Sequence, residues 1–159
     1  MISGHRDIYN IEWLYAEIKN ILIKLSKDKY PIIGLSGMAI GADRLFEMIC
    51  IELKIQFISY VPFIGQDAHW SDSEKIEYNH HLKLSCARRI ICKNENISMK
   101  LKYLKRNDIM VSDCDQAIIV YDNRDRGGAL YTLERIKKSG KSYIILNSKD
   151  KSIKKNIGE

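Results

Sequence analysis

Proline is scarce in this chain: Pro31 and Pro62 are its two prolines in 159 residues. No repeat, low-complexity stretch or linker divides the sequence, so its length reads most simply as one domain with a real core. Long apolar runs are also missing. None approaches the roughly 18 residues that span a bilayer, and the N-terminus lacks a signal-peptide plan, so no membrane partner is expected. Cys50, Cys86, Cys92 and Cys114 are dispersed without a Cys-x-x-Cys pair, and three of them fall within or beside apolar segments. Buried free thiols in a reducing, cytoplasmic setting are therefore expected, not disulfides. The adjacent pair His80-His81 would face different sides of a helix, so no metal site is expected. No Ser-His-Asp or Cys-His set follows from spacing, and no cofactor is implied.

Charge is present but unevenly placed. Residues 1–82 carry 8 Lys and Arg against 11 Asp and Glu, whereas residues 83–159 carry 18 against 9. A basic second half allows a nucleic-acid partner. The competing reading is a solvated basic C-terminal tail over 149–159, with Lys149, Lys151, Lys154 and Lys155, following a domain over 1–148.

Hydrophobic spacing alternates between two periods. Ile11, Leu14, Tyr15, Ile18, Ile21, Leu22 and Leu25 keep the spacing of a helix with one buried face. Pro31 ends that segment and opens a strand over Ile32–Ser36. Leu45, Phe46, Ile49 and Leu53 mark a second helix, and Ile55–Val61 reads as a strand stopped by Pro62. Ser71 or Asp72 caps a third helix to about Cys86, Arg89–Lys93 is a short candidate strand, and Ser98 caps a fourth helix. Ala117–Tyr121 is the clearest buried strand, with a helix to about Ser139, Gly140 as its C-cap and a last strand over Ser142–Leu146. Only Met1-Ile2-Ser3 precede Gly4, so a first strand is expected to be very short or incomplete. Strands alternating with helices predict an α/β, Rossmann-like three-layer sandwich with a mostly parallel sheet.

Two strand–glycine–helix junctions stand out. Gly127-Gly128 lies between Ala117–Tyr121 and the helix that starts at Ala129, and Gly37 to Asp43 follows Ile32–Ser36 in the same way. Such junctions leave free backbone N–H groups at a helix N-terminus, where anions are favoured. They form neither a full Gly-x-Gly-x-x-Gly fingerprint nor a Walker loop. Right-handed crossovers place every strand-to-helix loop on the carboxyl edge of the sheet, so Gly4-His5-Arg6, Gly37–Asp43, Gln66 and Gly127-Gly128 should converge there. Arg6 and His5 follow the first strand, where a cation meets phosphate; the alternatives are an Arg6–Asp7 pair and a His5 that caps a carbonyl. Asp43 sits in a first helical turn, where it either stabilises the dipole or contacts ribose or base. Phe63 and Trp70 flank a polar loop and either stack on a base or pack the loop onto the sheet.

The order of these loops resembles the SLOG superfamily (the SMF/DprA and Lonely Guy relatives), most closely its YpsA-like branch. The resemblance rests on Ser3-Gly4-His5-Arg6, Ser36-Gly37 with Gly41-Ala42-Asp43, Val61-Pro62-Phe63 with Gly65-Gln66 and Trp70, Tyr103, Arg106-Asn107 with Met110-Val111, and Asp122 before Gly127-Gly128. It implies a domain that binds a nucleotide or nucleotide-derived ligand, possibly related to NAD or ADP-ribose, as a sensor or sequestering module. The ligand-contacting set it implies is Gly4, His5, Arg6, Ser36, Gly37, Gly41, Ala42, Asp43, Pro62, Phe63, Gln66, Trp70, Arg106, Asn107, Asp122, Gly127 and Gly128. Homo-oligomers are frequent among such relatives.

Two other functions follow from the same resemblance. Lonely Guy relatives are phosphoribohydrolases, and Glu134 stands at the offset of their glutamate after the glycine pair. As an enzyme this chain would cleave an N-glycosidic bond with Glu134 and Asp43 as carboxylates and Arg106 as phosphate clamp. However, Leu130 and Tyr131 stand where those relatives carry Gly-Thr. The DprA relatives bind single-stranded nucleic acid, which the basic second half would permit.

Overall fold

A computed structural model describes residues 1–27, 30–93 and 96–158. Along them run β1 (Ile2–Gly4), α1 (Ile11–Leu25), β2 (Gly34–Ser36), α2 (Ala42–Glu52), β3 (Phe57–Val61), α3 (Asp72–Leu84), β4 (Ala87–Ile90), α4 (Met99–Asp113), β5 (Gln116–Val120), α5 (Gly128–Lys138), β6 (Ser142–Asn147) and β7 (Ser152–Asn156). The fold is mixed α/β, with a largely parallel sheet flanked by five helices.

Alternation along β5 explains the three layers. Ile118 and Val120 join a core with Leu14, Ile18 and Leu22 of α1 and Leu45, Phe46 and Ile49 of α2. Ala117 and Ile119 turn to the opposite core, with Met110 and Val111 of α4 and Leu133 and Ile136 of α5. A strand buried on both faces needs apolar residues at successive positions, which is why this one was legible as a continuous run.

Hydrogen bonds group the strands as β1-β5-β6-β7 and β2-β3-β4. Strands β1, β5 and β6 run parallel, as do β2, β3 and β4. The two ladders lie side by side along β1 and β2. From β1 the chain moves outward through β2, β3 and β4, then returns to the other flank of β1 with β5. Chain direction across the sheet therefore reverses between β1 and β5, the place where open α/β sheets form crevices.

Three expectations change. The short candidate strand lies at Ala87–Ile90 and not Arg89–Lys93, because Cys86 N already bonds Phe57 O at 2.9 Å. Its residues are mostly exposed at the sheet edge, so they carry no apolar signature. The helix before it stops at Leu84, short of Cys86. The stretch after Ser148 is not a frayed end: β7 pairs antiparallel with β6, from Asn147↔Ser152 to Tyr143↔Asn156. Its side chains are largely exposed, which hid it from hydrophobic patterning. Glu159 lies outside the described residues.

One tertiary cap also escaped the sequence. Lys141 Nζ donates to the carbonyls of Val111, Ser112 and Cys114 at 2.7, 2.8 and 2.6 Å, closing the end of α4. A cation there satisfies carbonyls that the helix leaves open and complements its dipole.

Candidate functional site

Outside the carboxyl ends of β1 and β5 lies a crevice of about 720 Å³. Its walls come from Ile2 to Arg6 along β1 and just after it, Ala39 and Asp43 after β2, residues of α4 between Lys100 and Met110, and residues between Gly127 and Tyr131 at the start of α5. Both glycine junctions reach this one edge. Ala42 N donates to His5 O at 3.2 Å, so the loop after β2 is bonded to the loop after β1.

The floor is a buried charge pair built around Gly37. Arg106 extends from α4 so that Nη1 bonds Gly37 O, while Nε donates to Asn107 Oδ1 at 2.8 Å. A Cβ added at Gly37 would overlap that guanidinium and stand 2.8 Å from Asp43 Oδ2. This glycine is thus required by the arginine beside it, through close approach and not through φ. Asp43 Oδ2 accepts from Ala39 N at 3.2 Å. Burial pushes the Asp43 carboxyl up to about 6, against the pull of Arg106. Burial also lowers the Arg106 guanidinium from its ordinary value, opposed by Asp43. Gln66 completes the floor from behind, its Nε2 donating to Gly37 O at 3.3 Å and Met38 O at 2.8 Å.

A second centre is Asp122, at the end of β5, with a side chain only 2% exposed. His5 Nε2 lies 2.9 Å from its Oδ1, while Arg124 Nε and Lys149 Nζ both lie 3.0 Å from its Oδ2. Burial would raise the Asp122 carboxyl, yet the bond from Lys149, His5 and Arg124 together hold it below its usual range. Burial keeps the His5 imidazole below its ordinary value. Asp122 N donates to His5 Nε2 at 3.4 Å, so a neutral His5 uses Nε2 as an acceptor here and carries its proton on Nδ1. Asp122 consequently ties three loops together and is not among the walls of the crevice. Lys149, expected in a solvated tail, is one of those ties; Asn10 Nδ2, bonded to Ser148 O at 2.8 Å, holds the same segment.

The remaining wall is the N-terminus of α5. Gly127 adopts φ 120°, a region closed to most side chains, and no side chain caps the helix among the described residues. The unpaired N–H groups of the first turn face the crevice beside Gly128 and Ala129. Asn107 fixes this turn, because its Nδ2 donates to Thr132 Oγ1 at 3.0 Å, which in turn donates to Gly128 O at 2.9 Å. The start of α2 is different: Ala42 N is taken by His5 O, and Asp43 fills its first turn. The start of α5 therefore keeps more of its first-turn donors free than the start of α2 does.

Several residues expected at the ligand stand elsewhere. Ser36 Oγ donates to the fully buried Glu47 and accepts from Met38 N at 3.0 Å. Glu47 is also held by His81 Nδ1 at 2.7 Å, so Ser36 belongs to a buried polar chain beneath the loop. Gly41 and Ala42 serve the contact between loops, and a side chain at Gly41 would meet the carbonyls of His5 and Arg6. Phe63 packs edge-on against Tyr103 at 5.5 Å, and Trp70 against Tyr78 at 5.4 Å, with Arg44 5.8 Å from the Trp70 ring. Both aromatics therefore pack their loop onto helices, Phe63 against α4 and Trp70 against α3, with Pro62 buried beside Phe63. Glu134 is exposed on α5 and is not a wall of the crevice. Gly4, His5, Arg6, Asp43, Arg106, Asn107, Gly127 and Gly128 do line it.

Arg6 is exposed, and Asp7 does not take it: the partner of Asp7 is Arg124, at 3.8 Å. Lys100 also lines the crevice without having been singled out in the sequence, as does Tyr131, noted there only as a departure from Gly-Thr. Nothing in the sequence distinguishes Lys100 from the other lysines around it, and the packing of α4 beside α5 and β3 brings it to the site. Among the described residues, no group of three or more His, Cys, Asp or Glu side chains is placed to hold a metal ion, and no helix is long and apolar enough to cross a membrane.

No curated protein matches the chain. Among solved structures, it is similar to the X-ray structure of DNA processing protein A (DprA) from Streptococcus pneumoniae, with a TM-score of 0.67 and 18% identity over 92% of this chain. The match covers 49% of that protein, so this chain spans about half of its length. At that identity the likeness speaks for the Rossmann-like fold alone. The family model described as YspA SLOG family matches residues 5–148, from His5 at the crevice to Ser148 beside the Asp122 clamp, and the chain belongs to that family.

Proposed function

We propose that this protein binds a nucleotide or nucleotide-derived ligand in the crevice between β1 and β5, as a sensing or sequestering module. The observation that carries this reading is the pairing of an uncapped helix N-terminus with an unpaired arginine. Gly127-Gly128 leaves the first-turn N–H groups of α5 open to the crevice, and Arg6 stands there with no carboxylate partner among the described residues. An anion in this place gains from the helix dipole, from backbone donors and from a guanidinium fork together. A volume of about 720 Å³ suits a ligand of nucleotide size. The neutral His5 and the buried Asp43 offer hydrogen bonds to hydroxyls deeper in the crevice. Hydrolysis of an N-glycosidic bond is less favoured, since Glu134 is exposed and is not a wall of the crevice.

Isothermal calorimetry against adenosine and guanosine mono- and diphosphates tests the reading. Binding that weakens at least tenfold in Arg6→Ala, with unchanged thermal stability, is the expected result. Folded protein that ignores the whole panel would overturn it.

A further inference from the structure

We infer that Glu47 is a positioning residue for the crevice: held beneath the floor by Ser36 and His81, it leaves Asp43 as the carboxyl that carries a proton where the floor faces a ligand.

Two carboxyls are buried on one face of α2. Asp43 and Glu47 stand one helical turn apart, at 6% and 0% exposure. Like charges so placed repel, and burial removes the water that would weaken the repulsion. One of the two is therefore the better place for a proton, and the hydrogen bonds decide which. Glu47 has a side-chain partner on each oxygen, Ser36 Oγ on Oε1 and His81 Nδ1 at 2.7 Å on Oε2. Ser36 is itself fixed by Met38 N at 3.0 Å, in a turn where Met38 adopts φ 59°. A hydroxyl and a protonated Nδ1 donating to a carboxylate favour its charged form. Asp43 accepts from Ala39 N at 3.2 Å and has no side-chain donor among the described residues. The nearby Arg106 directs Nη1 to Gly37 O and Nε to Asn107 instead.

The charges around Asp43 come from four directions. Arg106 reaches it from α4, Glu47 from its own helix, and Arg6 after β1 and Lys100 on α4 stand across the crevice. His81 of α3 meets it only through Glu47, and His5 is turned towards Asp122. Burial raises the Asp43 carboxyl to about 6 against Arg106, with Glu47 adding to the rise. Asp43 lines the crevice and Glu47 does not. Below about pH 6 the floor thus offers an O–H donor, and above it a carboxylate acceptor. Glu47 touches no ligand and acts through Asp43. The inference concerns the floor itself, so it stands or falls apart from the nucleotide reading.

Carbon-13 NMR of the side-chain carboxyls in the ligand-free full chain tests it. The parent Asp43 should titrate close to 6, and the Glu47 carbon should register a step at the same pH, since adjacent carboxyls sense one another. Glu47→Gln should bring the Asp43 midpoint down to about 5, because one like charge is gone. Glu47→Asp keeps that charge and should leave Asp43 near its parent value. A merely structural Glu47 would lower the melting temperature of both variants and leave the Asp43 titration where it was, which overturns the inference. So does a parent midpoint below about 5, or a fall as large in Glu47→Asp as in Glu47→Gln. Where Glu47→Gln does not fold, the parent decides alone: a Glu47 carbon that stays flat through the Asp43 midpoint refutes the coupling.

Discussion

Replacing Gly37 by alanine should unfold the crevice from its floor. The added Cβ would overlap the Arg106 guanidinium and press to 2.8 Å on Asp43 Oδ2. Arg106 is only 6% exposed and is held by Gly37 O and Asn107, so giving way means leaving both partners and swinging into the crevice it lines. Displacing it breaks a hydrogen-bonded buried charge beside a carboxylate, a loss of about 3–5 kcal/mol. The expected cost is therefore about 4 kcal/mol, or roughly 8–16 °C in melting temperature for a domain of this size. Urea unfolding followed by far-UV circular dichroism measures it. The double variant isolates the cause: in an Arg106→Ala background, Gly37→Ala should cost only about 1 kcal/mol, the remainder being coupling. A cost that is the same in both backgrounds, or below about 1 kcal/mol in the parent, would refute the account of why glycine is needed here.

Gly128→Ala should leave stability unchanged or slightly raised, because its nearest neighbour would be Asn107 Nδ2 at 3.7 Å; nucleotide affinity in calorimetry should fall, and retained affinity would argue against the α5 N-terminus as the anion site. Asp43 has a native pKa raised to about 6 from 3.8, mainly by burial. Its native form holds a proton more tightly than the unfolded chain, so the stability it contributes is full below about pH 4 and is lost as pH rises towards 6, by roughly 3 kcal/mol. Asp43→Asn should flatten that part of the stability–pH curve in urea titrations, and a curve parallel to the parent would contradict it. Lys141→Ala removes three hydrogen bonds to the end of α4 and should cost about 2 kcal/mol in thermal unfolding, with Lys141→Met no better. Trp70→Ala should destabilise by about 3 kcal/mol through lost packing on Tyr78, yet leave nucleotide affinity intact.

Local chemistry alone was enough for the alternation of elements. Leu14, Ile18 and Leu22 repeat at helical spacing, residues 117–120 are apolar at every position, and Ser71 and Ser98 cap the helices that follow them. Such signals act over a few residues, so a linear pattern records them. The order of the glycine loops was legible for the same reason, and with it the edge of the sheet at which they meet. Tertiary structure decided which of their residues face the crevice. Asp122 and Arg106 looked equally available in the sequence, but Asp122 is enclosed by His5, Arg124 and Lys149, which lie far apart along the chain. Glu134 sits at a suggestive distance from Gly127, yet the turn of α5 leaves it exposed. Lys149 read as a solvent charge and Lys100 drew no reading until the chain after β6 was set beside the end of β5 and α4 beside α5 and β3. Partners so distant in sequence leave no periodic trace, because charge pairing depends on where chains meet and not on the spacing of residues within one of them.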